Sequence, residues 1–591
     1  MLTLGINYGS HDSAAAIARD GEILFATAEE RLSRKKHDGG FPMHAIRACL
    51  AHAGVEVADL DEVAFGWQTA AAVRSADLRN HLTGAQPMGW WLALRAQTVG
   101  RIEEYQQNGE RLFRRHFGAP KNGFKRIDHH YAHALSAYPV SGFDEATVVV
   151  IDGRGAWEAT SIWHGKGTKL KLIDMVRWPN SIGLFYAQFT GWLGFERYQD
   201  EWKVMGLAPY GGPGVDLGSF ISVSDGKYSV NSRLLLKGPD LSGIEKGLGR
   251  AREPDEPLLD RHRNVAWAVQ DACERAELAV ITRAISLTGS RNLCLAGGVA
   301  LNSKANGLIL SRKLVDRIFI QPAATDDGVA IGAALAAPVA AGLRCREMTK
   351  AYLGSQSAPE EIEAVLRTYK LSYQCLNNPA EAAADLLARG QLIGWYQGRE
   401  EFGPRALGNR SILADPRDAG NRDRVNNAVK FRENWRPFAP SALEEAGNSL
   451  FENYHTTPFM TLTFQVRPEK KAAIAAAVHV DGSARVQSVR RDQNERYYDL
   501  IKAFAARTGV PAVLNTSFNL KGEPIVNSPF DAIRTFYTSG LDALFLDRYF
   551  IAKTSASTFD QRPATETSDL GQRRPDHQHV VDISEKHESF R

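Results

Sequence analysis

His129 and His133 stand four residues apart in the run His129-His130-Tyr131-Ala132-His133-Ala134. On a helix, positions i and i+4 project from one face, so two imidazoles at this spacing can ligate one metal ion. Asp152 closes the next apolar run, and Asp326-Asp327 offers a further carboxylate. Two histidines and two aspartates suit a divalent metal of intermediate hardness. HxxxH pairs also occur in cores where they only hydrogen-bond, so the spacing alone leaves both readings open. Cys294-Leu295-Ala296-Gly297-Gly298-Val299-Ala300-Leu301-Asn302 reads as a strand, a diglycine turn and a helix start. Backbone N–H groups at such a start suit phosphate or nucleotide contact, although a plain strand-to-helix connection has the same pattern.

The richest stretch is Gly398 to Ser411, where Arg399, Arg405 and Arg410 lie among glycines. Three guanidinium forks in one loop would bind an anion. The stretch Lys430 to Phe438 repeats the theme with Arg432 and Arg436, and Arg485 and Asn515-Thr516-Ser517-Phe518-Asn519 add donors. A solvated basic surface is the alternative, but surface charge rarely sits among Gly, Pro and aromatic residues. His11, in the first turn of the chain, is a candidate general base because its pKa is near neutral, or a structural turn residue.

These groups need elements to position them. Leu2–Ile6, the turn Asn7–Ser13, Ala14–Ile17 and, after Asp20-Gly21, Glu22–Ala28 read as three strands. Actin-like and sugar-kinase-like folds begin in this way. The pattern restarts at Ala146–Gly155, where Thr147–Ile151 is apolar throughout, as in a strand buried on both faces. Two restarts predict a duplicated α/β domain over residues 1–350, split near 145, with long helices at Val265–Leu287 and Ala330–Ala341. A boundary is expected near Ala351–Pro359. Beyond it, helices at Pro359–Thr368 and Pro379–Arg389 and strands at Gln391–Tyr396, Thr461–Val466 and Val510–Leu514 predict a second α/β domain over 351–553. Residues 554–591, polar and poor in apolar side chains, read as a disordered tail.

The chain has 591 residues, 44% hydrophobic and 24% charged, which excludes fibrous and wholly disordered classes. Lys+Arg at 71 against Asp+Glu at 68 leaves a net charge of +3, so no global field recruits nucleic acid or membrane. The five cysteines form no CxxC pair, and neither a signal peptide nor a long apolar span is read, so a reduced, cytoplasmic setting is expected.

Taken together, Asn7–Ala14, Ala28–Arg31, His129–His133, Gly297–Asn302, Glu401–Ser411, Arg436–Pro440 and Asn515–Glu523 resemble the NodU/CmcH family of O-carbamoyltransferases, over about residues 1–555. The resemblance implies a TsaD-like amino-terminal domain of the actin/sugar-kinase type and a YrdC-like carboxy-terminal domain. It implies that carbamoyl phosphate is cleaved in the second domain, that the carbamate meets ATP to give carbamoyl adenylate, and that the group passes to an acceptor hydroxyl in the first. By motif, Arg405, Lys430, Arg436, Arg485, Asn515 and Ser517 would hold carbamoyl phosphate. His129, His133, Asp152 and Asp326 would hold a divalent metal, Fe, Mn or Mg. Gly153, Gly297, Gly298 and Asn302 would contact nucleotide, and His11 would be the candidate base, with Arg405 and Lys430 also counted as catalytic. The acceptor is expected to be a hydroxylated small-molecule natural product such as an antibiotic, sugar or polyketide; no nucleic-acid partner and no membrane is expected.

One position departs from the family pattern: Trp202 stands where Glu-Gly-Lys-Val-Met-Gly-Leu-Ala usually has its first glycine. If this segment lines the acceptor cleft, the pocket should differ from its relatives. Other loops expected to set specificity are Gln68–Gln97 and Pro179–Tyr198, whose aromatics (Trp90, Trp91, Phe185, Tyr186, Phe189, Trp192, Phe195, Tyr198) would stack on an acceptor or form core. The competing readings are tRNA threonylcarbamoylation, which would want a basic stripe; hydrogenase maturation, which would want paired CxxC fingers; and a non-enzymatic nucleotide-dependent module.

Overall fold

The computed structural model describes residues 1–9, 11–68, 100–235, 240–433 and 435–553. Strands β1 (Leu2–Asn7), β2 (Ala14–Arg19) and β3 (Glu22–Ala28) form an antiparallel meander in which every residue of β1 is buried. After the short helix α1 (Glu29–Ser33) and α2 (Met43–Ala53), β4 (Glu62–Phe65) adds parallel to β1. Helix α3 (Gly100–Phe117) then leads to β5 (Phe124–Arg126), parallel to β4, so the sheet order is β3-β2-β1-β4-β5.

The same plan follows again. The apolar β6 (Glu145–Ile151) runs antiparallel to β7 (Glu158–Lys166), and β7 antiparallel to β8 (Lys169–Arg177). A small hairpin, β9 (Ile221–Ser224) and β10 (Lys227–Val230), intervenes before β11 (Asn292–Ala296) and β12 (Arg317–Ile320) extend the sheet in parallel. The order is β12-β11-β6-β7-β8. Position for position, the two sheets share order and strand senses: this is the expected duplication of the actin/sugar-kinase fold.

Helices α4 (His129–Ala137) and α9 (Asp326–Ala340) sit between the sheets, α4 against β6 and β11 and α9 against β1 and β2. Small residues let them touch. A Cβ on Gly332 would lie 1.7 Å from the Ala132 carbonyl, and one on Gly5 would lie 2.0 Å from that of Ala330. This close approach brings the start of α4 beside the start of α9. Helix α7 (Asp260–Thr288) packs on β6 and β7 of the second sheet, and α5 (Ile182–Trp192), α6 (Glu201–Leu207) and α8 (Ser303–Ser311) pack against α7. The aromatics expected to line a loop at 179–198 lie largely on α5, where Phe185, Phe189 and Trp192 are fully buried core; Tyr198 is exposed. That loop is therefore mostly a core helix. Most of Gln68–Gln97, with Trp90 and Trp91, lies outside the described residues.

The remainder builds one mixed sheet, in the order β13-β21-β20-β14-β15-β19-β16-β18-β17. Its strands are β13 (Gln374–Cys375), β14 (Ile393–Tyr396), β15 (Arg410–Ala414), β16 (Ala439–Leu443), β17 (Leu462–Gln465), β18 (Ser483–Val489), β19 (Ala512–Ser517), β20 (Ala543–Leu546) and β21 (Tyr549–Ala552). Helices occur at Pro359–Thr368 and Pro379–Ala388, where the sequence pattern puts them, and at Glu495–Thr508 and Pro529–Tyr537. No gap separates this region from the first. Residues 1–553 form one compact unit, and one apolar cluster runs from Ala14 and Ala330 to Phe402, Leu407, Ala439 and Phe459. A buried ion pair, Arg31 Nη1 to Glu400 Oε1 at 2.6 Å, crosses the same seam. The tail at 554–591 lies outside the described residues, and no helix among them is long and apolar enough to cross a membrane.

Candidate active site

His129 and His133 occupy the first and second turns of α4, whose amino terminus is capped by Asp128 accepting from Tyr131 N at 2.9 Å. Asp152 follows the end of β6, and Asp326 opens α9. Their ligand atoms all lie within 4.8 Å of one another. His129 Nε2 is 3.5 Å from both Asp152 Oδ2 and Asp326 Oδ1, and His133 Nε2 is 3.7 Å from Asp326 Oδ1. His129 Nδ1 donates to the Gly66 carbonyl at 3.1 Å, and the ring stacks on Trp67 at 3.9 Å, which fixes its orientation and turns Nε2 toward the carboxylates. His129 Nε2 and both His133 nitrogens are buried and have no hydrogen-bond partner among the described residues. Burial opposes ionisation of the two aspartates, yet the facing imidazoles hold both below the usual carboxylate range. Burial likewise opposes a charged His129, but Asp326 and Asp152 outweigh it and push its pKa up to about 10. The cluster therefore calls for positive charge, and orphaned imidazole nitrogens facing two carboxylates fit a divalent cation as well as protons. His130, by contrast, turns away and bonds Ser161 Oγ at 2.8 Å.

The diglycine loop lies against this cluster. Gly298 N donates to Asp152 Oδ1 at 3.0 Å, and Gly297, at φ +89°, passes so close to β6 that a Cβ would lie 2.3 Å from the Ile151 carbonyl. Asn302 caps α8 through Ala305 N at 3.2 Å and bonds Gln270 on α7. Gly153 follows Asp152, its carbonyl held by Ser181 Oγ at 2.9 Å. His11 stands beside Asp12, with Nε2 3.5 Å from Oδ2 and 39% of its side chain accessible, as a group lining an opening would be. Burial disfavours its imidazolium, but Asp12, Asp326, Asp152 and Glu201 together raise its pKa. The metal-type cluster, the glycine loop and His11 thus share one place.

Arg405, Lys430, Arg432, Arg436 and Arg485 gather in the carboxy-terminal region. Burial lowers the pKa of each, to about 10 for Arg405, about 9 for Arg432 and about 10 for Arg436. Arg432, Arg436 and Lys36 add repulsion at Lys430, and Arg405 and Arg432 add it at Arg485. Lys430 ends a π-helical turn and points its Nζ at Ser517 Oγ (3.1 Å) and Asn519 Oδ1 (2.6 Å). Arg485 Nε, Arg432 Nη2 and Arg436 Nε are buried without partners among the described residues. Glu433 pairs with Arg436 Nη1 at 3.2 Å. Cations this close, with donors left over, have the chemistry to hold an anion.

Two arginines expected to bind the anion do not. Arg410 donates to the carbonyls of Gln397 (2.7 Å), Asn409 (3.0 Å), Ser355 (3.1 Å) and Gly398 (3.1 Å) and stacks on Tyr396. Arg399 donates to the carbonyls of Leu24, Leu353 and Gly354. Both hold backbone, although Arg410 Nε is buried without a partner among the described residues. Glu401 completes that frame by accepting from Leu407 N, Asn409 N and Arg410 N, which curls the loop around and carries Arg405. Asn515 gives its amide hydrogens to Ala406 O, Ser441 Oγ and Gln487 Oε1, inside the sheet, so it braces the Arg405 loop. Arg432 was legible only as part of its stretch; its unpaired Nη2 marks it as a member of the cluster. The Trp202 ring lies 3.7 Å from the Arg436 guanidinium.

Comparison with known proteins agrees with these features. The family model "Carbamoyltransferase N-terminus" matches residues 2–335, and "Carbamoyltransferase C-terminus" matches 384–553. Nodulation protein NolNO of Sinorhizobium fredii is 39% identical over 93% of this chain and 80% of its own length. Nodulation protein NolO of Bradyrhizobium diazoefficiens is 43% identical over 73% of this chain and 80% of its own. Among solved structures, HypF of T. kodakarensis matches 57% of this chain and 48% of its own at 12% identity, with a TM-score of 0.34. With both family models in order along a chain that carries the expected duplicated fold, this protein belongs to the carbamoyltransferase family and is a carbamoyltransferase.

Proposed function

We propose that the chain moves the carbamoyl group of carbamoyl phosphate, through carbamoyl adenylate made with ATP, to a hydroxyl of a small-molecule natural product. The observation that carries this reading is the group of buried cations around Arg485, whose unpaired donors suit a phosphate dianion. In that site Arg405, Arg432, Arg436 and Arg485 hold the phosphate, and Lys430, set by Ser517 and Asn519, lies beside it. Charge grows on the phosphate as water cleaves the carbamoyl–oxygen bond, and fixed cations stabilise that growth. The products are orthophosphate and carbamate.

In the second step a carbamate oxygen attacks the α-phosphorus of ATP and pyrophosphate leaves. The diglycine turn before α8 suits the close approach of nucleotide phosphates, with the Gly298 N–H itself given to Asp152 Oδ1. His129, His133, Asp152 and Asp326 would hold the divalent metal, which when bound offsets phosphate charge. In the third step the acceptor hydroxyl attacks the carbamoyl carbon and AMP leaves. His11 is positioned to take the hydroxyl proton. Acceptors of the nodulation type, hydroxylated sugars, are the first to try, given the relatives at 39% and 43% identity.

The test is product release by the purified chain without acceptor. Carbamoyl phosphate and ATP are supplied singly and together with Fe, Mn or Mg. Orthophosphate from carbamoyl phosphate alone, and pyrophosphate with both substrates present, are the expected results. Pyrophosphate from ATP without carbamoyl phosphate would overturn the adenylate route.

A further inference from the structure

The Arg436 guanidinium has three surfaces, each with its own occupant. Its face lies 3.7 Å from the centre of the Trp202 ring. One edge, through Nη1, meets Glu433 Oε2 at 3.2 Å. The other, Nε, is buried with no partner among the described residues. All five N–H groups of a guanidinium lie in its plane, so a stack consumes none of them. Resting on the proposed carbamoyl phosphate site, we propose that Trp202 is a positioning residue: its indole fixes the plane of Arg436 so that the unpaired edge is held ready for the phosphate.

An aromatic face does this better than a second carboxylate would. A carboxylate would orient the arginine but cancel the charge that the anion needs. A ring quadrupole restrains the cation while leaving its charge in place. The cluster uses the device twice, since Arg432 lies 4.2 Å over Phe438 while its Nε is tied to Asn426 Oδ1 at 2.7 Å.

Trp202 is itself held. Its Nε1 donates to the Gln199 carbonyl at 2.8 Å, and its neighbour Lys203 pairs with Asp200 at 2.7 Å. Around it α6 is seated on the 435–437 segment: a Cβ on Gly206 would lie 3.4 Å from Pro437 Cδ, and Phe195 meets Trp435 at 6.2 Å. The contact thus joins a helix of the duplicated region to the anion site of the carboxy-terminal region. A glycine at 202 would leave the Arg436 face bare.

The experiment compares W202F, W202L and R436K with wild type in phosphate release from carbamoyl phosphate. A cation–π contact of this kind converts to a loss of about two- to thirtyfold when removed. W202L is expected to raise KM for carbamoyl phosphate by that factor with kcat within about twofold, while W202F stays within about threefold of wild type. Adding W202L to R436K should cost less than W202L alone, because the shorter cation no longer stacks. An unchanged KM in W202L, or equal losses in W202F and W202L, would overturn the assignment. If wild type releases no phosphate, the functional reading fails instead. Calorimetry with inorganic phosphate then decides on Trp202 by the same ordering of wild type, W202F and W202L.

Discussion

Arg485 should cost the ligand-free protein stability, and that cost is measurable. Its Nε is buried without a partner among the described residues, and burial, then repulsion by Arg405 and Arg432, holds its pKa well below the usual guanidinium range. As a scale, two unit charges about 6 Å apart at an effective dielectric of about 20 repel by about 3 kcal/mol. Replacing buried charge by an apolar group of similar volume is commonly stabilising by about 1–4 kcal/mol. Arg485→Met should therefore raise the stability of the free protein by about 1–3 kcal/mol in chemical or thermal unfolding. The same variant should lose response to phosphate. At a concentration about 100 times its Kd, phosphate stabilises wild type by about 2.7 kcal/mol, and the methionine variant should gain almost nothing. Phosphate release from carbamoyl phosphate should fall at least about a hundredfold, the worth of a charge-assisted bond to the transition state. A destabilised Arg485→Met protein that phosphate still protects would refute the claim that this arginine waits for an anion.

Other expectations follow from the same geometry. His133→Ala and Asp326→Asn should each cut bound divalent metal, read by elemental analysis after dialysis, at least about tenfold, whereas His130→Ala should keep it, because His130 faces Ser161. Asn302→Ala should lower pyrophosphate formation while leaving phosphate release from carbamoyl phosphate intact, and cost about 1 kcal/mol of stability through the lost cap; equal losses in both assays would tie Asn302 to both sites. Glu158, 5% exposed, is pushed up to about 7 by burial and then by Asp128. A carboxyl with a raised folded pKa binds more protons folded than unfolded, so between about pH 4.5 and 7 stability should fall as pH rises. Glu158→Gln should remove that slope, worth about 3 kcal/mol at most, and an unchanged unfolding profile would contradict it.

Much of the frame was legible because it is written in local patterns. The strand–turn–strand starts at Leu2 and Ala146 foretold the duplication, and the i, i+4 spacing of His129 and His133 foretold one helical face. The same tool, applied to Ile182, Phe185, Phe189 and Trp192, marks a helix with an apolar stripe; reading aromatic content before periodicity turned α5 into a loop. Arginine roles were not local. Arg399, Arg405 and Arg410 look alike among glycines, and what separates them is whether carbonyls or other cations surround the guanidinium. Some of those carbonyls, from Leu24, Leu353 and Ser355, are remote from the loop in sequence, while Gln397, Gly398 and Asn409 are local to it. The partners of Asn515 are non-local for the same reason, since an amide in a strand faces whichever side chains the sheet order supplies.

The metal-type cluster and the cation cluster are joined by packing. Helix α8 leaves the diglycine loop, and within its first turns Ser303 O accepts from Thr463 Oγ1 at 3.1 Å, Lys304 pairs with Asp481 at 2.8 Å and Asn306 Nδ2 reaches the Thr461 carbonyl at 3.0 Å. Thr463 is the cross-strand neighbour of Arg485 on β17 and β18. From nucleotide loop to anion cluster is thus one helix turn and one strand pair. Two other segments put adjacent residues at the two places: Lys36 acts on Lys430 while His37 bonds Asp12 at 2.8 Å, and Glu201 acts on His11 while Trp202 stacks on Arg436. A close-packed joint of this kind resists sliding, because shifting it would break buried polar contacts as well as apolar ones. Packing of this kind fixes the separation of the two clusters in the folded state, so that if they are the two sites of the proposed transfer, the cost of bringing them together is met once, in folding, and does not recur in each cycle.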